Sequence, residues 1–198
     1  MNQTFIAPSQ TQELEDSALA AVMQQMVVGV TGLSPTLVFP RWQTVPPTRP
    51  SQNTNWAAVG VVDIDPVDQD NYAKFKEVKD ASGKVIGTYM TYSTWWRVVV
   101  LTSFYGPNVG YYSALLADGI RVPQNLEVLG SYGIKFHHIT DVTKTAELVN
   151  TQWYGRADVT IHFRRQIDRN YPIEALVAAP IEFVTQDGLK NTFTITLP

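Results

Sequence analysis

The chain has 198 residues and no cysteine, which excludes disulfides, thiolate metal sites and a cysteine nucleophile. Charged residues make up 17% of it, below the ~25% usual for soluble chains, so its surface has little charge for solvation and points to cover by partners. The formal net charge of -3 gives no bulk attraction to nucleic acid.

The N-terminal segment is polar and lacks the basic-then-apolar order of a signal peptide, and no apolar run approaches the ~18 residues of a membrane span. The first predicted element is a helix from Gln10 to Val30. Ser9 caps it, with Gln12 completing a capping box, and Glu13, Glu15 and Asp16 complement the helix dipole. Leu14, Ala18, Ala21, Val22 and Met26 are expected on its apolar face, and Gly29, Gly32 and Pro35 mark its end.

Leu37–Trp42 is a short strand candidate. Thr44–Asn55, with Pro46, Pro47 and Pro50, is neither helix nor central strand, so it reads as a surface loop or an arm on a neighbour. Trp56–Asp65 reads as a strand with Trp56, Ala58, Val62 and Ile64 on one side. A long hairpin follows, with arms Tyr72–Lys79 and Val85–Thr91 and a turn at Asp80–Gly83. Trp95–Tyr105 is apolar on both faces and is predicted to be a central strand.

Gly106-Pro107-Asn108 turns the chain into a helix that ends near Gly119 and buries Tyr112, Leu115 and Leu116; a second short helix follows Pro123. Ile134–Ile139 is a strand. The spacing of Val142, Ala146 and Val149 predicts a helix capped by Asp141. In Trp153–Phe163, Trp153, Ala157, Val159, Ile161 and Phe163 alternate with Arg156, Asp158, Thr160, His162 and Arg164, which predicts one buried and one polar face. Two further strands, Ile181–Thr185 and Thr192–Leu197, flank a turn at Asp187-Gly188. The order is that of an α+β fold, a mostly antiparallel sheet with helices packed on it, plus a long hairpin. We read the whole chain as one domain, with a Pro-rich loop at 44–55 and the hairpin at 71–92.

Few residues point to chemistry. His137 and His138 are adjacent in a strand, so alternation sends them to opposite faces, and His162 lies on a polar face; a shared metal is not expected. Asp63, Asp65, Asp68 and Asp70 lack the glycine and terminal glutamate of a calcium loop. No phosphate loop or nucleophile elbow is present. Arg156, Arg164, Arg165 and Arg169 read better as ion-pair partners than as a nucleic-acid site. The aromatic set around Trp95, Trp96, Tyr105 and Trp153 fits core and subunit contacts, with a sugar platform as the other reading. No catalytic residue, metal ligand or cofactor is expected.

From Trp96 to Ile173 the chain resembles the neck terminator or tail terminator proteins of tailed bacteriophages. The resemblance rests on Arg97–Leu101 with Phe104–Asn108, on Leu115 through Pro123-Gln124-Asn125, on Ile134–Asp141, and on Leu148–Asn150 through Trp153 and Arg156–Asp158 to Phe163. These are packing and turn residues, not a catalytic signature. The resemblance implies a structural virion protein with an α+β fold and no cofactor. It implies a hexameric ring that caps the tail tube, meets the head-side connector, has the sheath protein as a further candidate partner, and lets genomic DNA pass through its lumen. Assembly in the host cytoplasm is implied with it.

A ring protomer needs two unlike surfaces that meet head to tail. The hairpin and the Pro-rich loop are the expected contacts, through Tyr72, Phe75, Lys76 and Tyr89 on the one and Trp42 and Arg49 at the other, with Arg156 and Arg164 on the polar strand face. The competing readings are another head-tail connector or head-completion subunit, and a carbohydrate-binding baseplate-associated module.

Overall fold

The computed structural model describes residues 6–9, 16–45, 47–149, 151–173, 178–184 and 190–196; of residues 16, 68–71, 149, 178–184 and 190–196 it describes the backbone alone. The elements follow the order α1 (Asp16–Thr31), β1 (Val38–Pro40), β2 (Trp56–Lys79), β3 (Val85–Tyr105), α2 (Val109–Gly119), α3 (Pro123–Ser131), β4 (Ile134–Val149), β5 (Gln152–Ile173), β6 (Ala178–Val184) and β7 (Lys190–Thr196). The α+β expectation holds. A five-stranded sheet runs in the order β1-β2-β3-β5-β4, and β6 and β7 form a two-stranded antiparallel sheet of their own. The capping residues Gln12, Glu13 and Glu15 and the turn at Asp187-Gly188 lie outside the described residues.

Contacts divide the chain into two compact units. The larger comprises Gln12–Tyr72 and Ser93–Asp168 and contains the helices and most of the five-stranded sheet. The smaller gathers the hairpin segment Ala73–Tyr92, the C-terminal segment from Arg169 and the first residues of the chain. In it the Ser9 amide donates to the Asn170 carbonyl at 2.8 Å, and the Thr91 hydroxyl donates to Asn170 Oδ1 at 2.6 Å. The hairpin turn is built by Asp80, whose carboxylate accepts from the Ser82 amide at 2.8 Å and the Lys84 amide at 3.0 Å. Gly83 supplies the positive φ of 84° that the turn needs.

The core of the larger unit lies between α1–α3 and one face of the sheet. Val98, Val100 and Phe104 of β3 meet Val159, Ile161 and Phe163 of β5 there, with Leu19, Met23 and Val27 of α1 and Leu116 of α2. The strand that is apolar on both faces, β3, is indeed central. The α1 face is rotated from expectation: Ala18 and Ala21 are exposed, while Leu19, Met23 and Val27 at fourfold spacing are buried. The longer side chains bury more apolar area per residue than alanine, so they win the core face. Gly32, with φ of 71°, closes α1, its amide donating to the Val28 carbonyl at 2.9 Å.

Three further expectations are corrected. The predicted helix at Val142–Val149 is the second half of β4, paired antiparallel with β5 from Val142↔Val159 to Val149↔Gln152. Val142, Thr143 and Thr145 are β-branched, and pairing with a neighbouring strand outweighs a helical spacing of three small apolar residues. Trp153, expected on the buried face, is 67% exposed, because the end of the β4–β5 ribbon extends beyond the helices that cover Ala157, Val159 and Ile161. On β2, Trp56, Ala57, Val59 and Gly60 are buried, so of the expected face Trp56 is covered, Ala58 is half-buried, and Val62 and Ile64 are exposed.

Candidate assembly surfaces

The polar side of β5 carries a cluster of charged groups that reaches β3, β4 and the Pro-rich loop. Arg156 Nε donates to Asp158 Oδ1 at 2.9 Å, and its Nη1 lies 3.5 Å from Glu147 Oε2 on β4. Ser103 of β3 donates to Asp158 and accepts from Arg41. The guanidinium of Arg49 reaches in from the Pro-rich loop. It lies 4.5 Å from the Tyr154 ring centre, 5.1 Å from that of Tyr105 and 5.6 Å from that of Trp56, and its Nη1 is 3.4 Å from Glu147 Oε1. Arg49 Nε and Nη2 are buried and find no hydrogen-bond acceptor among the described residues. Among three ring faces, the attraction is of cation–π type. Tyr105 also stacks on Trp56 at 4.1 Å.

Burial, ahead of its charged neighbours, raises the Tyr105 phenol above its ordinary pKa and lowers the Arg41 guanidinium; the hydrogen bond that Arg156 donates to Asp158 raises Arg156. Ser103 is fully buried and held between an arginine and a carboxylate, an arrangement without the imidazole or lysine base that activates a serine. The cluster is a clamp: it fastens the Pro-rich loop of a chain to its own sheet. Arg49 and Arg156, expected at a subunit contact, both serve in this clamp.

The other expected contact residues are spread over both units. Trp42 is 75% exposed and donates from Nε1 to the Val61 carbonyl at 3.2 Å. Tyr72 is exposed and accepts from Gln166 Nε2 at 2.9 Å. On the hairpin, Phe75 is 67% exposed, Lys76 is exposed and Tyr89 is half-buried. Arg164 is exposed on β5, whereas the neighbouring Arg165 is buried.

The three histidines come together, contrary to simple strand alternation. A register shift between Phe136 and His138 inserts a bulge at His137. The bulge turns His137 to the side of His138, with the two Nδ1 atoms 2.5 Å apart, and the His138 ring stacks on His162 at 4.3 Å and 3°. His162 Nε2 bonds the Thr140 hydroxyl at 2.6 Å. With Arg97 and Arg164 these groups line a cleft of about 430 Å³. Desolvation first, then the neighbouring cationic groups, lowers the pKa of His137 and His162. Parallel stacking keeps His138 and His162 from aiming at one point, and among the described residues no group of three ligands converges for a metal. Asp63 and Asp65 bind Arg97; the side chains of Asp68 and Asp70 lie outside the described residues.

Each unit offers exposed aromatic or apolar residues, Trp42 and Trp153 on the larger and Phe75 and Ile86 on the smaller, while the Arg49–Glu147–Arg156 clamp is formed within the larger unit. The family described as phage neck terminator protein matches residues 17–187, most of both units. The chain belongs to that family. This neck terminator is thus a structural component of the virion neck that associates with other phage tail and neck proteins. No match to a curated protein was found. The match takes in β6 as well as the hairpin and the Pro-rich loop, regions that the sequence resemblance from Trp96 to Ile173 does not reach.

Proposed function

We propose that this neck terminator works as a hexameric ring that closes the tail tube and presents its other end face to the head-side connector. The observation that supports this reading is the amount of large apolar surface left open on a folded chain: Trp42 at 75%, Phe75 and Trp153 at 67% and Ile86 at 63%. Singly such residues are ordinary, but aromatic groups on strands and a hairpin are the usual anchors of protein contacts. They lie on both compact units, as a protomer with several partners requires. The hairpin, with Tyr72, Phe75, Lys76 and Tyr89, serves contacts with neighbouring copies or the tube. A net charge of -3 lets DNA pass a lumen without adhering to it. The protomer acts by shape, with no bond made or broken and no cofactor.

Light scattering and native mass spectrometry of the purified chain, alone and with tail tube protein, test this. The expected result is a hexamer-sized multiple of 22.1 kDa. A persistent monomer under both conditions, or a virion neck reconstruction without this chain, is incompatible with the ring.

A further inference from the structure

The five-stranded sheet has two unlike outer strands. On one side β1 covers only Ala57–Val59 of β2, and Trp42 Nε1 takes the Val61 carbonyl. Among the described residues, no strand pairs with that side of β2 from Val62 to Asp65, and Pro66 then interrupts the row of donors. On the other side, among the described residues, no strand pairs with the outer side of β4. Its first half is broken by register shifts between Phe136 and His138 and between Ile139 and Val142, whereas Val142–Val149 is regular. Bulges blunt an edge and a regular stretch invites addition, so Val142–Leu148 is the part of β4 able to accept a new strand.

We propose that copies of this chain join edge to edge, Val142–Leu148 of one protomer adding to Val62–Asp65 of the next, so that the sheets of the ring run on from subunit to subunit. The inference rests on the ring reading above and names its contact. Three observations select this pairing. First, a cleft of about 550 Å³ lined by Leu19, Ala20, Trp42, Val62 and Ile64 lies along the β2 edge. On β4, Val142 is 44% and Leu148 56% exposed, apolar side chains suited to such a cleft. Backbone bonds give affinity in strand addition, and pockets beside the edge give register.

Second, charge disfavours the alternatives. From Val61 to Tyr72 the β2 strand carries Asp63, Asp65, Asp68 and Asp70 and no basic residue, so two β2 edges repel. Arg97 offsets part of that charge within the chain. The accepting stretch of β4 carries Lys144, and its one acid, Glu147, is engaged by Arg49 and Arg156. Third, pairing β4 with β4 is isologous and stops at a dimer, whereas pairing two different edges is head-to-tail and closes into a ring.

The test is backbone hydrogen exchange on the monomer and on the assembled full-length chain, together with an Ile64→Asp variant. In the assembled state, alternate amides in 62–65 and 142–148 should exchange at least tenfold more slowly than in the monomer. Ile64→Asp should keep the thermal midpoint of the monomer and lose ring closure. If the wild type closes rings while both segments exchange as fast as in the monomer, edge pairing is overturned and the ring reading stands. If Ile64→Asp folds and closes rings normally, the same conclusion follows. If the wild type never exceeds monomer mass, alone or with tube protein, both readings fall.

Discussion

Arg49 and Glu147, ninety-eight positions apart in sequence, meet at 3.4 Å beneath the Pro-rich loop. The pair is about 30% exposed, so its charge attraction alone is worth little; the three aromatic faces around the guanidinium carry most of the effect. Arg49→Ala should lower stability by about 1–2 kcal/mol in urea denaturation. It should also expose 44–55 to limited proteolysis. Arg49→Lys should recover little, because an ammonium lacks the planar face that stacks on the rings. Unchanged denaturation and digestion in Arg49→Ala would show that the loop is held by something else.

Phe163 is fully buried at the centre of the core and Phe75 is two-thirds exposed on the hairpin. Phe163→Ala should therefore cost about 3–5 kcal/mol, from lost transfer energy and the cavity left behind. Phe75→Ser should stay within about 0.5 kcal/mol in the monomer. Its effect should appear in assembly, read as the fraction of chain in ring-sized species. A large stability loss in Phe75→Ser would place that ring in a core instead of on a contact surface.

Gly106 separates β3 from α2 with φ of 112°, and a Cβ there would lie 2.6 Å from the Thr54 carbonyl oxygen. Gly106→Ala should destabilise by at least about 2 kcal/mol, since both the backbone region and the contact are unfavourable. Gly29, inside α1, has nothing within 4 Å of the added carbon. Gly29→Ala should stabilise by about 0.5–1 kcal/mol. Thermal midpoints of the two variants moving in the same direction would contradict this contrast.

The histidine cluster gives stability a pH dependence. Folding lowers the pKa of His137 and His162 below the ordinary 6.5, so the unfolded chain binds more protons near that pH. Stability from this source is complete above about pH 7, falls as the pH drops through 6.5, and levels off below the folded-state values. Protonation brings positive charge beside Arg97 and Arg164, with Asp63 in opposition. His162→Gln can keep a bond to Thr140 and should flatten the profile between pH 7 and 5. Equal slopes in wild type and variant would remove these imidazoles from the account.

Several elements were legible in the sequence because their signals are local. Asp80-Ala81-Ser82-Gly83 forms its turn from its own side chains, and β3 declares its central place by being apolar on both faces. The strict alternation of Ala157, Val159, Ile161 and Phe163 likewise matches their burial. The misread positions depend on distant chain. Val142, Ala146 and Val149 have helical spacing, yet β5 lies alongside and pairs with them. His137 departs from alternation because of a bulge, which leaves no mark in composition.

The sequence by itself determined the α+β order of elements, the likeness to phage neck terminators and the lack of thiol chemistry, since all three follow from residue type and short-range pattern. Only the tertiary structure decided that Arg49 and Arg156 serve an internal clamp, that the histidines gather on one side, and that β4 and the short β1 are the outer strands of the sheet, with part of β2 left open beyond β1. Those outcomes rest on pairings between residues many tens of positions apart. Which groups such pairings leave covered or open is fixed by packing of the whole chain and by no local preference.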